Sequence, residues 1–577
     1  MEPLASAMTS LRSALIAALR SLLVGRSLIQ AILAYWTGRN TLKQLDGNPA
    51  PIGPSGGGRR QYDGILEFLQ EAEELLLQPV NPAALREFSL QLKAQLRERL
   101  WSDTACMLPS YNHLLPDGSE HGRYLALDVG GSTLRVALVE LDAKAKAGRG
   151  GKSSIVRMST FRIDSDIKNL VGMDFFDWVA ARIVETVSSA PEDAHENGSE
   201  KPIPVGLAWS FPIEQTSAKG GLLQGMGKGF LAADGLLGLD LGDIIQMACS
   251  KRGLNVELAA IVNDSSATLL SETYQSPLTR FGLILGTGFN ISAFLSTSAI
   301  DGPKFGARQA SWLQKASHVI INTEMGMFGK GILPMTRWDR RLNDSHPKPE
   351  FQPLEHFVAG FYLGELARLV LVEAIESTGI FGGIVPPSLL KPYSLETETI
   401  SAVEGDTTSS LSGAISAFSA RHPSPVAPTT EDMTALKTIA SLVTQRSAAI
   451  VAAAVHGLWE LKAETECECL ESLTEAAAAS ARSDAPTDAR DGCRFMEQTK
   501  AEMGLGRVMV AYNGSVIEQY PGFLKNCQGY IDGLLASSSS SSSSSRLSGG
   551  IELVPAKESS LIGAAVALAC REEGKAN

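Results

Sequence analysis

The chain has 577 residues, enough for two or more domains with ample core. Its hydrophobic content of 44% and charged content of 20% are ordinary for a soluble globular protein, and its net charge of −12 argues against non-specific nucleic-acid binding. Seven scattered cysteines point to free thiols in a reducing compartment rather than a disulfide framework. Cys467 and Cys469 form a C-x-C pair with no second pair at metal-ligand spacing, so a surface thiol pair is expected there.

Residues 1–44 stand apart. Arg12, Arg20, Arg26, Arg39 and Lys43 are set against the single acid Glu2. On a helical wheel Arg12, Arg26, Ser27 and Gln30 share one side, Arg20 lies near its edge, and leucines and isoleucines cover much of the rest. This is a basic amphipathic helix with a wide apolar face. The composition suits a transit peptide or a mitochondrial surface anchor. An interfacial helix on an anionic membrane uses the same physics, and a helix packed on the core is a further alternative. A bilayer span fits less well, because Arg20 and Arg26 would lie inside it. Residues 45–60, rich in Gly and Pro, read as a flexible linker.

Residues 61–100 read as helical, with Leu66, Phe68, Leu69, Leu75, Leu76, Leu85, Phe88, Leu92 and Leu96 recurring among charges. Two β-rich runs then flank Gly130-Gly131-Ser132-Thr133. The glycines permit a tight turn and close approach to a phosphate. A plain hairpin explains them equally well, but it has no need of the preceding Asp128. After the strand Val205–Trp209 come Ser210-Phe211-Pro212 and a glycine-rich turn, Gly225-Met226-Gly227-Lys228-Gly229.

The stretch Ala260–Leu270 reads as a buried strand that stops at Asn263-Asp264 and becomes a helix. An acid just past the carboxyl end of such a strand sits where open α/β sheets bind ligands. The simpler reading makes Asp264 a helix cap, and Ser265 or Ser266 could also cap. Gly286-Thr287-Gly288 ends another strand and offers backbone N–H groups and a hydroxyl to phosphate oxygens. Residues 400–430 and 464–492, rich in small, polar and charged residues, read as loops or mobile insertions around an apolar helix over Leu436–Leu461. Asn513-Gly514 suits a tight turn. Ser537–Ser545 is an unbroken serine run, read as a disordered loop.

Taken in order, these motifs resemble those of the hexokinase family from about residue 61 to the end. The resemblance implies the two-lobed α/β fold shared with actin and the heat-shock ATPases, with sugar and nucleotide in a cleft between the lobes. It divides the chain into a helical part of the large lobe at 61–120, a small lobe at 121–263 and a large lobe at 264–559. Insertions fall near 400–430, 464–492 and 534–550, and a C-terminal helix over 560–577 returns to the small lobe. Ser210, Lys228, Asn263, Asp264, Asn290, Glu324 and Glu355 match the sugar side. Asp264 and Lys228 are the expected catalytic pair, the first accepting a hydroxyl proton and the second neutralising charge on the transferred group. Asp128, Gly130, Gly131, Ser132, Thr133, Arg135, Gly286, Thr287, Gly288, Gly514, Ser515 and Ser560 match the nucleotide side, with magnesium held indirectly near Asp128.

The chain departs from the family pattern in several places. Thr133 replaces an asparagine, and Met226-Gly227 replace Trp-Thr before the lysine. Asn513 replaces an aspartate, and Glu558-Ser559-Ser560-Leu561 replace Asp-Gly-Ser-Gly, where two lost glycines would crowd the adenosine turn. Two functions therefore stand. One is transfer of the ATP γ-phosphoryl group to the 6-hydroxyl of a hexose, glucose being expected. The other is a catalytically weak or inactive sugar sensor of the kind known among fungal and plant hexokinase-like proteins. The expected location is cytoplasmic, with attachment or targeting to mitochondria through residues 1–44. No nucleic-acid partner is expected; a membrane surface could meet the arm, and no protein partner is identifiable.

Overall fold

The computed structural model describes residues 62–102, 105–143, 150–188, 202–226, 229–306, 308–480, 489–538 and 549–573. The arm at 1–44, the linker, Lys228 with Gly227, and the serine run beyond Ser538 lie outside the described residues. The strands, numbered in chain order, are β1 Leu108–Pro109, β2 Gly122–Val129, β3 Thr133–Asp142, β4 Lys152–Arg162, β5 Ile203–Trp209, β6 Ile213–Gln215 and β7 Gly221–Leu223. They continue with β8 Val256–Val262, β9 Thr279–Leu285, β10 Phe289–Ser296, β11 His318–Asn322, β12 Arg507–Asn513 and β13 Gly550–Pro555.

Two mixed sheets organise the molecule, and they repeat one topology. The first runs β4-β3-β2-β5-β8, with β4-β3-β2 antiparallel and β2-β5-β8 parallel. The second runs β11-β10-β9-β12-β13, again an antiparallel meander followed by a parallel trio, with the short β1 added beside β11. Counted within each sheet the strand order is 3-2-1-4-5 in both. The parallel strands carry near-continuous apolar runs, as strands covered on both faces must; β2 is buried from Tyr124 to Val129. The edge strand β4 instead alternates along its length between exposed and half-buried residues.

The repeat also relates two helices, each following the last strand of its sheet. Asp264–Gln275 follows β8 and Ser559–Glu573 follows β13. They pack on each other so closely that a Cβ on Gly563 would come within 2.0 Å of the Ala267 carbonyl oxygen. Thr268 Oγ1 and Ser559 Oγ share a hydrogen bond of 2.8 Å across this seam. Leu269, Leu270, Leu561, Ala564 and Leu568 fill it, meeting Ala126 and Ala208 of the first sheet and Phe294 and Ile320 of the second.

Helices Ile65–Leu77 and Pro82–Ser102, in the region read as helical, pack with the second sheet in one large apolar cluster. The expected helix over Leu436–Leu461 is far longer, running Thr430–Ser480. Thr429 and Asp432 exchange hydrogen bonds as a capping box at its start. The two regions read as loops or mobile insertions are corrected where the structure describes them; residues 481–488 lie outside the described residues. Residues 400–430 contain helices Thr397–Gly405 and Ser412–Arg421. Residues 464–492 continue the long helix to Ser480 and begin a returning helix, Ala489–Met503.

A buried ionic network holds this hairpin. Arg280 of β9 grips Glu502 at 2.7 and 2.8 Å. Lys462 reaches Glu466 at 2.7 Å and Glu502 at 3.0 Å, and His318 of β11 reaches Glu466 at 2.9 Å. Burying one unpaired charge here would be costly, and the mutual pairing removes that cost. Composition alone could not reveal it, because the partners lie far apart in sequence. The expected surface thiol pair is likewise corrected: Cys469 is buried against Thr499, 3.6 Å away, on the returning helix.

The seam gives a direct test of the packing. Gly563→Val is expected to lower the melting temperature sharply, because overpacking a tight contact costs about 1–3 kcal/mol or more. Gly533→Ala, at a helical glycine with nothing within 4 Å of the added Cβ, should be neutral or slightly stabilising. Equal melting temperatures for the two variants would contradict the close approach.

Candidate functional site

Several of the candidate residues lie at the carboxyl ends of the parallel strands. Asp128 and the Gly130 turn end β2, Ser210 follows β5, and Asn263-Asp264 follow β8. In the other sheet, Gly286 follows β9, Gly514-Ser515 follow β12, and Glu558 closes the loop after β13. Open α/β sheets place ligands in this position. The turns Gly130–Thr133 and Gly286–Gly288 are the same first hairpin of each repeat. The Gly130 turn is a hairpin, closed by Gly130 N–H donating to the Thr133 carbonyl at 3.0 Å.

The turn after β8 is set by Asn263. Its backbone is extended, and its side-chain oxygen accepts from Ser265 N–H at 2.9 Å and Ser265 Oγ–H at 2.7 Å. Asn263 is therefore the cap, which corrects the expectation for Asp264, Ser265 and Ser266. Asp264 is the first helical residue, with its own Oδ1 accepting from Ser265 N–H at 2.8 Å. Ser265 and Ser266 are buried and tied to Ser292 Oγ of β10 at 2.6 and 2.9 Å. These bonds lock the end of β8 to the other sheet.

A polar chain leads from that junction. Asn290 Nδ2 donates to Asn322 Oδ1 at 2.8 Å, and Asn322 Nδ2 donates to Glu324 Oε1 at 2.8 Å. Asn290 Oδ1 accepts from Ile291 N–H at 2.8 Å and Met325 N–H at 3.2 Å, so the chain is held from both ends. Glu324 is not on a helix. It sits in the left-handed region at φ 53°, ψ 51°, a strained state for a residue with a side chain, and such states cluster at functional sites. Burial raises its pKa above the ordinary 4.5, Asn322 opposes the shift, and the neighbouring Asp264 charge adds to it. Asp264 thus lies within electrostatic reach of Glu324. Glu355, on helix Pro353–Val358, accepts from Phe289 N–H at 3.1 Å and lies against Gly288 and Gly326.

On the nucleotide side, Arg135 donates to Asp128 Oδ2 through Nε at 2.9 Å and through Nη2, and to Glu558 Oε2 at 2.7 Å. Burial raises the Asp128 pKa, opposed by Arg135. Ser210 N–H donates to the Val129 carbonyl at 3.4 Å, which holds Ser210 beside the Gly130 turn. Ser132 accepts from Ile163 N–H at 2.8 Å through its carbonyl, and Thr133 opens β3. Thr287 is exposed, and Gly286 packs against Ser515 and Gly514. Gly514, at φ 131°, admits no side chain, because a Cβ would meet the Leu285 carbonyl at 2.3 Å. Ser515 is exposed at the start of helix Ser515–Gln519. Asn513 Nδ2 donates to the Ala556 carbonyl at 3.0 Å; an aspartate, the residue expected there, has no proton to give.

The expected crowding of the adenosine turn is corrected. Leu561 is fully buried in the seam cluster, and Ser559 is buried in its bond to Thr268. Both side chains are buried in the seam. Ser560 is buried as well, in the first turn of the same helix. Sequence reasoning missed two participants. Asn322 links Asn290 to Glu324, and its signal was its place two residues before Glu324. Glu558 clasps Arg135 from a left-handed backbone at φ 48°.

Among the described residues no three His, Cys, Asp or Glu side chains are arranged to hold a metal ion. A lone buried carboxylate already shared with an arginine suits a divalent ion that arrives on a nucleotide with its own water shell, and it does not suit a resident metal.

Two sheets of one repeated topology, with glycine turns at the first hairpin of each, define an α/β protein of the actin-like class. Family models described as hexokinase match residues 73–274 and 280–570, and the chain belongs to the hexokinase family. It is 28% identical over 470 residues to Hexokinase-2 of Candida albicans, covering 81% of this chain and 84% of that protein. It is 32% identical over 350 residues to Hexokinase-9 of Oryza sativa, covering 60% of this chain and 66% of that one. Among solved structures, a hexokinase from Schistosoma mansoni complexed with glucose shares the fold at a TM-score of 0.64 and 24% identity, covering 88% of this chain and 99% of that one.

Capping by Asn263 is open to mutation. Asn263→Ala is expected to cost about 1 kcal/mol of stability, read as a lower denaturation midpoint, and Asn263→Ser should recover most of it. An equal loss in both variants would contradict a capping role.

Proposed function

We propose that this hexokinase-family protein is a working phosphotransferase that moves the γ-phosphoryl group of ATP to the 6-hydroxyl of a hexose, with glucose the expected substrate. The observation that supports the reading is the hydrogen-bonded chain Asn290–Asn322–Glu324, with Asp264 within electrostatic reach of Glu324. These four side chains come from residues at or near the ends of β8, β10 and β11. Each carboxylate can accept hydrogen bonds from sugar hydroxyls, and these are stronger than neutral ones.

In this scheme Asp264 accepts the proton of the attacking hydroxyl, and a hydrogen bond to that hydroxyl is all it requires. Ser210, Asn263, Asn290, Glu324 and Glu355 orient the sugar so that one hydroxyl faces the phosphate turns, which converts a chance encounter into a positioned one. The backbone N–H groups of Gly130–Thr133 and Gly286–Gly288, with the Thr287 hydroxyl, cradle phosphate oxygens. Lys228 is assigned by resemblance to charge on the transferred group. Magnesium bound with the nucleotide would supply charge neutralisation between phosphate oxygens, beside Asp128. The sugar-sensor reading drew on the altered nucleotide-side residues, the basic arm, the adenosine turn and the long insertions. The Ser559 and Leu561 side chains are buried and the insertions contain regular helix, so these two features do not favour it over the kinase.

Two outcomes follow. Asp264→Asn should lower kcat for hexose 6-phosphate formation by about a hundredfold to ten-thousandfold, while glucose still raises the melting temperature, as ligand linkage requires. Turnover unchanged in the variant would sink the assignment of the base. The second concerns pH. The folded-state pKa of Glu324 is raised, so on acidification it takes up a proton at a higher pH than an ordinary carboxylate. Its protonated form cannot accept as an ion, so glucose affinity should fall as pH drops through a value above 4.5. The fold itself gains stability from this group over the same window, because the native state binds that proton more tightly. Glu324→Gln should weaken glucose binding roughly tenfold to a hundredfold and remove that inflection; calorimetric titration across the range reads both, and an unaltered pH profile in Glu324→Gln would contradict the assignment.

A further inference from the structure

The phosphate turn is backed by the start of helix Gly360–Thr378. Gly360 N–H donates to the Gly286 carbonyl at 2.8 Å, and Phe361 N–H donates to the Thr287 carbonyl at 3.2 Å. A Cβ on Gly360 would meet the Gly286 carbonyl oxygen at 2.8 Å, so the two backbones are in contact. Phe361, bound by its backbone to the turn, is 51% exposed. A large aromatic left half in water at a bonded junction is unusual, since phenylalanine is ordinarily among the most buried residues.

The ring is also held firmly. It stacks on Tyr393 with centroids 5.0 Å apart and planes at 25°. Tyr393 sits in the left-handed region at φ 58°, fixed there by its N–H donating to Glu365 Oε2 at 2.6 Å. Glu365 is in turn gripped by Arg368 at 2.7 and 2.6 Å, and both of these residues are buried. A buried ion pair thus sets a strained tyrosine, and the tyrosine sets an exposed phenylalanine beside the phosphate turn. This is a pre-organised flat apolar surface rather than a loose side chain. The turn after β13, where contacts to the nucleoside were expected, has its Ser559 and Leu561 side chains committed to the core.

We infer that Phe361, backed by Tyr393, stacks on the nucleoside part of the phosphoryl donor and makes this site prefer a nucleoside triphosphate to a bare polyphosphate. The inference rests on the phosphate turns taking the donor, as proposed above. Stacking on an aromatic ring tolerates any base, so the preference is for a base as such and not for its hydrogen-bonding edge.

The test is equilibrium titration of the full chain with Mg-ATP and with Mg-tripolyphosphate, for wild type, Phe361→Ala and Phe361→Trp. The wild type is expected to bind ATP more tightly. Phe361→Ala should weaken ATP binding roughly five- to a hundredfold and leave tripolyphosphate within about twofold, and Phe361→Trp should restore ATP binding. ATP binding unchanged in Phe361→Ala overturns the assignment, and so does an equal loss for both ligands, which reports damage to the turn. Absence of ATP binding in the wild type contradicts the donor site itself and takes the stacking with it, whereas a normal wild type with an unaffected alanine variant contradicts the stacking alone.

Discussion

One asparagine side chain joins strand to helix at the centre of this molecule. Asn263 ends β8 and caps the next helix, so Asp264 is delivered at a fixed position in its first turn. The same oxygen holds Ser265, which with Ser266 is bonded to Ser292 in the other sheet. The position of the expected base is thereby referred to both sheets at once. Neighbouring carboxylates repel unless each is held, and Glu324 is held by Asn322 in a backbone state that few residues with side chains adopt. The site stores that strain, and the packed turns around it keep it in place.

The repeated topology explains why the donor and acceptor regions lie where they do. A 3-2-1-4-5 sheet puts its first hairpin beside the ends of its parallel strands. Doubling it gives two glycine turns and six strand ends, and the seam of two helices brings them to one region. Small residues make the seam possible: Gly563 and Ala267 touch backbone to side of backbone, and Gly206 of β5 approaches Ala564 in the same way, where a Cβ would meet its carbonyl at 2.3 Å.

Much of this was readable from residue order, for identifiable reasons. Four of the six strands of the parallel trios are short apolar runs that end at or just before glycine or asparagine, at Gly130, Asn263, Gly286 and Asn513, and that pattern marks where a strand stops. The helical start at 61–100 carries its periodicity openly. The regions around 400–430 and 464–492 were misread because their order comes from partners distant in sequence. Lys462 and Glu466 look like part of a solvated charged stretch until the fold brings them together with Arg280, His318 and Glu502 in the interior. Leu561 was misjudged for a related reason. Sequence shows that a glycine position has gained a side chain, but not which way the side chain points, and here it points into the seam. Asn322 and Phe361 escaped notice because neither residue type signals a ligand without its neighbours.

The most direct test of the account is a crystal structure of the full chain grown with glucose. The account predicts one sugar lying between the sheets, with its hydroxyls within hydrogen-bond distance of Asp264, Asn290, Glu324 and Glu355 together, and its 6-hydroxyl nearest Asp264. Glucose bound elsewhere, or bound at this place with Asp264 out of reach of every hydroxyl, would contradict it.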